Sequence, residues 1–164
     1  MDLQSYFDTV ESGIADLGVN PADCRGDNPG QWNLKKGDTL VWIDLWWIES
    51  EGRPYFQVMS PIFAVPTDEK TKNAIFAELL EINDTLFGVA FTVYNENIYI
   101  KVIREADGMD KAESLSLLLR VGNYADLFRK DLSEKHQINI PNQSNAEGNT
   151  IDLNRIKEMN EDDL

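Results

Sequence analysis

Thr39-Leu40-Val41-Trp42-Ile43-Asp44-Leu45-Trp46-Trp47-Ile48-Glu49-Ser50, then Glu51-Gly52-Arg53, then Pro54-Tyr55-Phe56-Gln57-Val58-Met59-Ser60-Pro61-Ile62-Phe63-Ala64-Val65: the reading of this stretch decides the fold. Two runs rich in β-branched and aromatic residues flank a short polar joint that contains a glycine, the pattern of an antiparallel hairpin. The first run is apolar in both phases. Val41, Ile43, Leu45 and Trp47 point to one side, and Leu40, Trp42, Trp46 and Ile48 to the other, with Asp44 among them. A strand with one wet face would alternate apolar and polar residues. Both faces of this sheet therefore need cover, unless one of them is a binding surface.

Composition bounds the class. A chain of 164 residues that is 42% hydrophobic is long enough for one domain with a proper core. No apolar run approaches the roughly 20 residues of a membrane span. Met1-Asp2-Leu3-Gln4-Ser5 lacks the basic segment and apolar stretch of a secretory signal, and Cys24 is the single cysteine. Together these point to a cytoplasmic protein without disulfides. The formal net charge is −14, from 29 acidic against 15 basic residues. Nucleic-acid binding draws on cations that replace phosphate counterions, and Lys35-Lys36 and Arg129-Lys130 are the densest basic pairs. A nucleic-acid reader or an adsorber to anionic lipid is excluded on this balance; basic protein partners suit it better.

Outward from the hairpin, apolar residues at Leu3, Tyr6, Phe7, Val10, Ile14 and Leu17 carry helical spacing. Gly18 and Asn20-Pro21 stop that helix, and 22–30 reads as loop around Gly26 and Pro29-Gly30. Its Arg25-Gly26-Asp27 triplet is taken as chance. Gln31-Trp32-Asn33-Leu34 forms a short edge strand that turns at 35–38 into the hairpin. Pro61 cannot donate to a ladder, so it marks an edge or a bulge. Beyond the hairpin, Pro66-Thr67-Asp68-Glu69 is a helix start, with a hydroxyl cap and acids in the first turn. That helix runs to about Asn83 with Ile75, Leu79, Ile82, Ala74 and Ala77 inward. A second hairpin, 89–94 and 97–103, turns at Asn95-Glu96. After Asp107-Gly108, a helix over 110–135 places Leu115, Leu118, Leu119, Gly122, Ala125, Phe128 and Leu132 along one side. Gly122 costs about 1 kcal/mol against alanine in a helix interior, so a close packing contact is expected there.

Residues 1–136 thus make a single α+β domain, a mainly antiparallel sheet packed with helices in a two-layer arrangement. Residues 137–164 are a polar, acidic tail, mobile or docked as a short helix over 150–159.

The order α-β(3)-α-β(2)-α resembles the secretion-chaperone-like fold, that of type III secretion chaperones and of the YbjN family of bacterial sensory-transduction regulators. The residues that carry the likeness are Leu79-Leu80-Glu81-Ile82-Asn83, leading through Gly88-Val89-Ala90-Phe91 into Ile98-Tyr99-Ile100. With them goes the helix Leu117-Leu118-Leu119-Arg120-Val121-Gly122-Asn123-Tyr124-Ala125-Asp126. The resemblance spans about 1–136 and leaves the tail unmatched. It implies a fold, a tendency to homodimerise and a protein-binding role in a bacterial cytoplasm. It transfers no catalytic residue.

The residues themselves suggest no chemistry either. His136 is the only histidine and falls at a helix end, where a cation complements the dipole. One cysteine and one histidine cannot build a thiolate zinc site or supply a Cys/His nucleophilic pair of evident spacing. No Gly-rich phosphate loop or nucleophile elbow is present, and the acid pairs suit a solvated surface. No catalytic residue, metal or cofactor is therefore expected.

The face opposite the core carries the candidate site. It is expected to show Trp42, Trp46, Tyr55, Tyr94 and Tyr99, interspersed with Asp44, Gln57, Thr92 and Lys101. Tyr and Trp among polar groups make a binding surface, because each joins apolar area to a hydrogen-bonding tip. The expectation is a non-enzymatic, chaperone-like or regulatory module that binds a protein or peptide client on this face or at a sheet edge. The alternative is a small-molecule-sensing regulatory domain with its pocket between helix and sheet. The competing account of the aromatic face is that the tail or the first helix folds over it and completes the core.

Overall fold

Every strand expected from the two hairpins forms, and the sheet they build is antiparallel throughout its five main members. The computed structural model describes residues 2–141 and, as backbone, 151–152. Along the chain run α1 (Gln4–Asp16), β1 (Gln31–Lys36), β2 (Thr39–Ile48), β3 (Arg53–Ala64), α2 (Glu69–Asn83), β4 (Ala90–Tyr94), β5 (Asn97–Glu105) and α3 (Lys111–Lys135). A two-residue β6 (Ile151–Asp152) pairs parallel to β1, with Ile151 beside Leu34. The strand order is β4-β5-β3-β2-β1-β6. Apart from 137–141 and 151–152 the tail lies outside the described residues, and with it most of the helix expected over 150–159; at 151–152 the backbone is strand rather than helix.

Register follows from the turns. Asn95 and Glu96 both have positive φ, 45° and 59°, as a two-residue type I′ turn requires. The turn sets Tyr94 opposite Asn97 and Phe91 opposite Ile100. Gly30 has φ +83°, and a Cβ there would lie 2.2 Å from the Leu45 carbonyl oxygen. Only glycine lets the loop before β1 approach β2 so closely.

Pro61 lies in a central strand, between β5 and β2, so the edge expected from proline is replaced by the bulge. The pairing of β3 with β5 shifts register between Pro61 and Phe63. The extra residue keeps both Ile62 and Phe63 buried.

One face of the sheet makes the core. Val41, Ile43, Leu45, Phe56, Val58, Phe91, Ile98, Ile100 and Val102 are buried there as their phase predicts. Trp32 joins them from β1 and stacks edge-on with Phe7 of α1, ring centres 5.8 Å apart. The long α3 lies across this face. Where it crosses β1 and β2, a Cβ on Gly122 would meet Lys36 Cβ at 3.4 Å and Val41 Cγ2 at 3.5 Å. The crossing is close, yet it leaves room for a methyl group. Helix α1 packs beside α3 through Gly13, where a Cβ would come within 3.0 Å of Ser114 Oγ.

Two details of α2 differ from expectation. Its cap is Asp68, whose carboxylate accepts from the Thr71 N–H at 2.8 Å, rather than the Thr67 hydroxyl. Ala74 and Ala77 are exposed, and Phe76 half-fills the inward side with Ile75 and Leu79. Helix α2 covers only the β4 end of the sheet, so it needs a narrower apolar stripe than a helix lying across the centre. Val93 follows the phase of Phe91, but α2 faces it only across a shallow groove, and it is 51% exposed.

Candidate functional site

The second face of the sheet carries the aromatic residues. Along β2 the outward residues are Leu40, Trp42, Asp44, Trp46 and Ile48, all half-buried. Pleating and register arrange their neighbours into rows across the strands. One row is Trp46 opposite Tyr55, and Tyr55 opposite Glu105. A second is Gln31, Asp44, Gln57 and Ile103. A third is Asn33, Trp42, Met59, Lys101 and Ala90. A fourth carries Pro61, Tyr99 and Thr92. Trp42 and Tyr99 reach each other across β3, ring centres 6.3 Å apart and tilted by 47°.

The polar row divides the aromatic ones and is itself hydrogen-bonded. Asp44 accepts from Gln31 Nε2 at 3.0 Å and, through its other oxygen, from Gln57 Nε2 at 3.5 Å. The Gln57 amide also lies 3.2 Å from the Met59 sulfur. Three side chains are thereby held in place. At the margin Arg53 pairs with Glu105 at 2.6 Å.

Of the expected site residues, Trp42, Trp46, Tyr55 and Tyr99 share this face and are half-buried by one another and by the sheet. Tyr94 is in the same phase, at the tip of the β4–β5 hairpin, and is 66% exposed. Trp47 stands on the helix side, opposite the buried Pro54. Met59 and Ile103, not singled out from the sequence, complete the face; the alternation of β3 and β5 contained that signal. Among the described residues the helices pack on the opposite face or on one another, as Phe91 on Phe128 of α3 illustrates.

A free strand edge lies beside this face. Asn83, the last residue of α2, spans the edge of β4. Its Oδ1 accepts from the Phe91 N–H at 2.7 Å, and its Nδ2 donates to the Phe91 carbonyl at 3.3 Å. The Phe91 backbone therefore points away from β5, and by the two-residue repeat so does that of Val93. No described residue bonds the Val93 N–H or C=O. Phe76, Leu79, Leu80 and Val93 line a shallow groove of about 210 Å³ along this edge. Leu80 is 71% exposed there. No spacing rule foretold the Asn83 bracket, since the contact depends on how α2 turns back onto β4.

The groups with chemical reactivity are placed conservatively. Cys24 is fully buried, and burial pushes its thiol up to about 11. His136 Nε2 lies 2.7 Å from Glu78 Oε2, while Lys135 bonds the other oxygen at 2.7 Å. These contacts tie the end of α3 to α2. Despite its partial burial, the Glu78 carboxyl sits below its ordinary value because of its hydrogen bonds with Lys135 and His136. Among the described residues no three His, Cys, Asp or Glu side chains gather as metal ligands. No helix among them is long and apolar enough to cross a membrane.

The fold and the open sheet define the class: an α+β domain with the element order of the secretion-chaperone-like fold. A solved structure that bears this out is one chain of the crystal structure of the ExsC–ExsE complex. It superposes with a TM-score of 0.59 at 17% identity, over 80% of this chain and 97% of that one. At that identity the likeness concerns the fold. No family model matches the chain, and no curated protein matches it. The likeness to the YbjN family thus rests on the residues quoted above.

Proposed function

We propose that this chain is a non-enzymatic protein-binding module of a bacterial cytoplasm. It holds a client segment against the aromatic face of its sheet. The observation that carries the reading is the row structure of that face: Trp42, Trp46, Tyr55 and Tyr99 around the hydrogen-bonded Asp44, with the packed helices on the other side. Rigid aromatic rings with polar tips, spaced by fixed amides, suit an apolar peptide that needs both burial and a few hydrogen bonds. The free N–H and C=O of Val93 add a place where an extended segment can pair with the sheet. A chain of similar fold crystallised as part of a two-protein complex supports partner binding. The charge of −14 favours a client with basic flanks. Self-association through the same face would bury the patch in the free protein, so a homodimer is part of the proposal.

The test is affinity capture from native lysate with the wild-type chain and the Trp42→Thr/Trp46→Thr variant side by side. A protein retained by the wild type and lost by the folded variant is the expected result. Equal retention by both would remove the aromatic face from the function. Sedimentation at low micromolar concentration checks the dimer, and a monomer there would eliminate that part.

A further inference from the structure

On the helix side of the sheet, opposite the aromatic rows, α3 carries a buried cation. Arg129 is 4% exposed. Its Nη1 donates to the Ile62 carbonyl at 3.2 Å and its Nη2 to the Pro141 carbonyl at 2.6 Å. The first contact has a clear structural reason, because Ile62 sits within the β3 bulge, where the ladder to β5 shifts register. The two carbonyls engage two of the five N–H groups of a guanidinium and supply no negative charge. No carboxylate among the described residues lies within ion-pair distance of Arg129. Asp38 acts on it only through its charge, while burial pushes the guanidinium below its ordinary value. A buried cation without an anionic partner is costly.

A second buried group beside it is also unsatisfied. Thr39, the first residue of β2, is 0% exposed, and its hydroxyl has no hydrogen-bond partner. Buried hydroxyls are nearly always bonded. Thr39 and Arg129 line one pocket of about 240 Å³, together with Asp38, Asp126, Lys130 and Ile140. A buried guanidinium and an unpartnered buried hydroxyl thus belong to the walls of one space.

We propose that this pocket binds a carboxylate group, with the Arg129 guanidinium as the charged fork and the Thr39 hydroxyl as a second donor. A planar carboxylate matches the guanidinium edge in a way that a spherical anion does not. Asp38 and Asp126 on the same wall select against a dianion such as phosphate, by like-charge repulsion. Asp126 is already engaged, 3.3 Å from Lys130 Nζ, which leaves the Arg129 charge to the ligand. The volume accommodates the carboxylate with a few carbon atoms, so a short monocarboxylic acid and the C-terminus of a peptide share the required chemistry. This site is separate from the aromatic face and stands or falls without it.

The experiment is NMR titration of the full chain, following the Arg129 Nε–Hε resonance and the amides of 38–40. Sodium acetate and an acetylated tetra-alanine with a free C-terminus are the ligands. Sodium chloride and the tetra-alanine amide are the controls. Saturable shifts with both carboxylates and none with the controls are expected. Tighter binding of the peptide acid assigns the site to a chain terminus, and equal binding assigns it to a small free acid. Thr39→Val keeps the shape of the side chain and removes the donor, so acetate should bind about tenfold more weakly, the loss of one hydrogen bond. Its stability without acetate should not fall. No saturable shift, shifts that chloride reproduces, or undiminished binding by Thr39→Val would each overturn the proposal.

Discussion

Two tryptophans on opposite faces of one sheet should respond to removal in different ways. Trp32 is 2% exposed; it packs on Phe7 and donates from Nε1 to Glu11 Oε1 at 3.1 Å. Trp32→Ala empties ~140 Å³ of side-chain volume, and at about 24 cal/mol per Å³ of retained cavity the void alone costs up to ~3 kcal/mol. With the lost transfer energy the total reaches about 5 kcal/mol. No helix among the described residues lies above Trp42, so Trp42→Thr leaves no enclosed cavity there, and threonine keeps the strand propensity. Its cost is the transfer term for roughly 60 Å² of apolar area, ~1.5 kcal/mol, plus about 0.5–1 kcal/mol for the ring pair with Tyr99. The expected total is therefore about 2 kcal/mol. Urea melts followed by far-UV circular dichroism measure both, with unchanged slope as the sign that the unfolding reaction is the same. If Trp42→Thr costs as much as Trp32→Ala, the aromatic face is sealed core, and the reasoning that makes it a docking surface fails.

Other expectations follow from particular contacts. Gly122→Ala should stabilise by up to about 1 kcal/mol, since a methyl fits at ordinary contact distance and removes a helix-interior glycine; a lower thermal midpoint would show the α3 crossing to be tighter than 3.4 Å implies. Gly30→Ala, by contrast, should lose at least about 2 kcal/mol, because φ is positive and the Leu45 carbonyl occupies the Cβ position. Cys24 should resist a thiol reagent at mildly alkaline pH in the native protein and react at once in urea; native reactivity would contradict its burial. The Glu11 carboxyl lies below its ordinary 4.5, held first by the Arg25 guanidinium and also by the Trp32 N–H. A depressed carboxyl contributes stability above the unfolded pKa and loses it as pH falls through the folded one. Glu11→Gln should therefore destabilise at neutral pH and flatten the acid limb below about pH 4.5; an unchanged acid limb would show that the pair does not set it.

Much of this architecture was legible because local rules and burial agree. The Asn95-Glu96 turn, the phase of 41–45 and the stripe of α3 all follow from short-range sterics and period. Where the reading departed from the structure, a contact distant in sequence intervened. Proline at position 61 reads as edge or bulge until β5 is known to pair on its far side. Ala74 and Ala77 read as inward until α2 is found to cover only one end of the sheet. The Thr67 cap gave way to Asp68, one residue on, as two adjacent side chains competed for the same N–H groups.

By itself the sequence determined that β2 would have two apolar faces, and which aromatic residues would share the one away from the core, because pleating enforces a strict period of two. Tertiary structure alone decided that α3 covers one of those faces, that Asn83 closes half of the β4 edge and leaves Val93 open, and that Arg129 and Thr39 meet at a single pocket. Those outcomes depend on where helices land after the chain has travelled tens of residues, and no local periodicity records that distance.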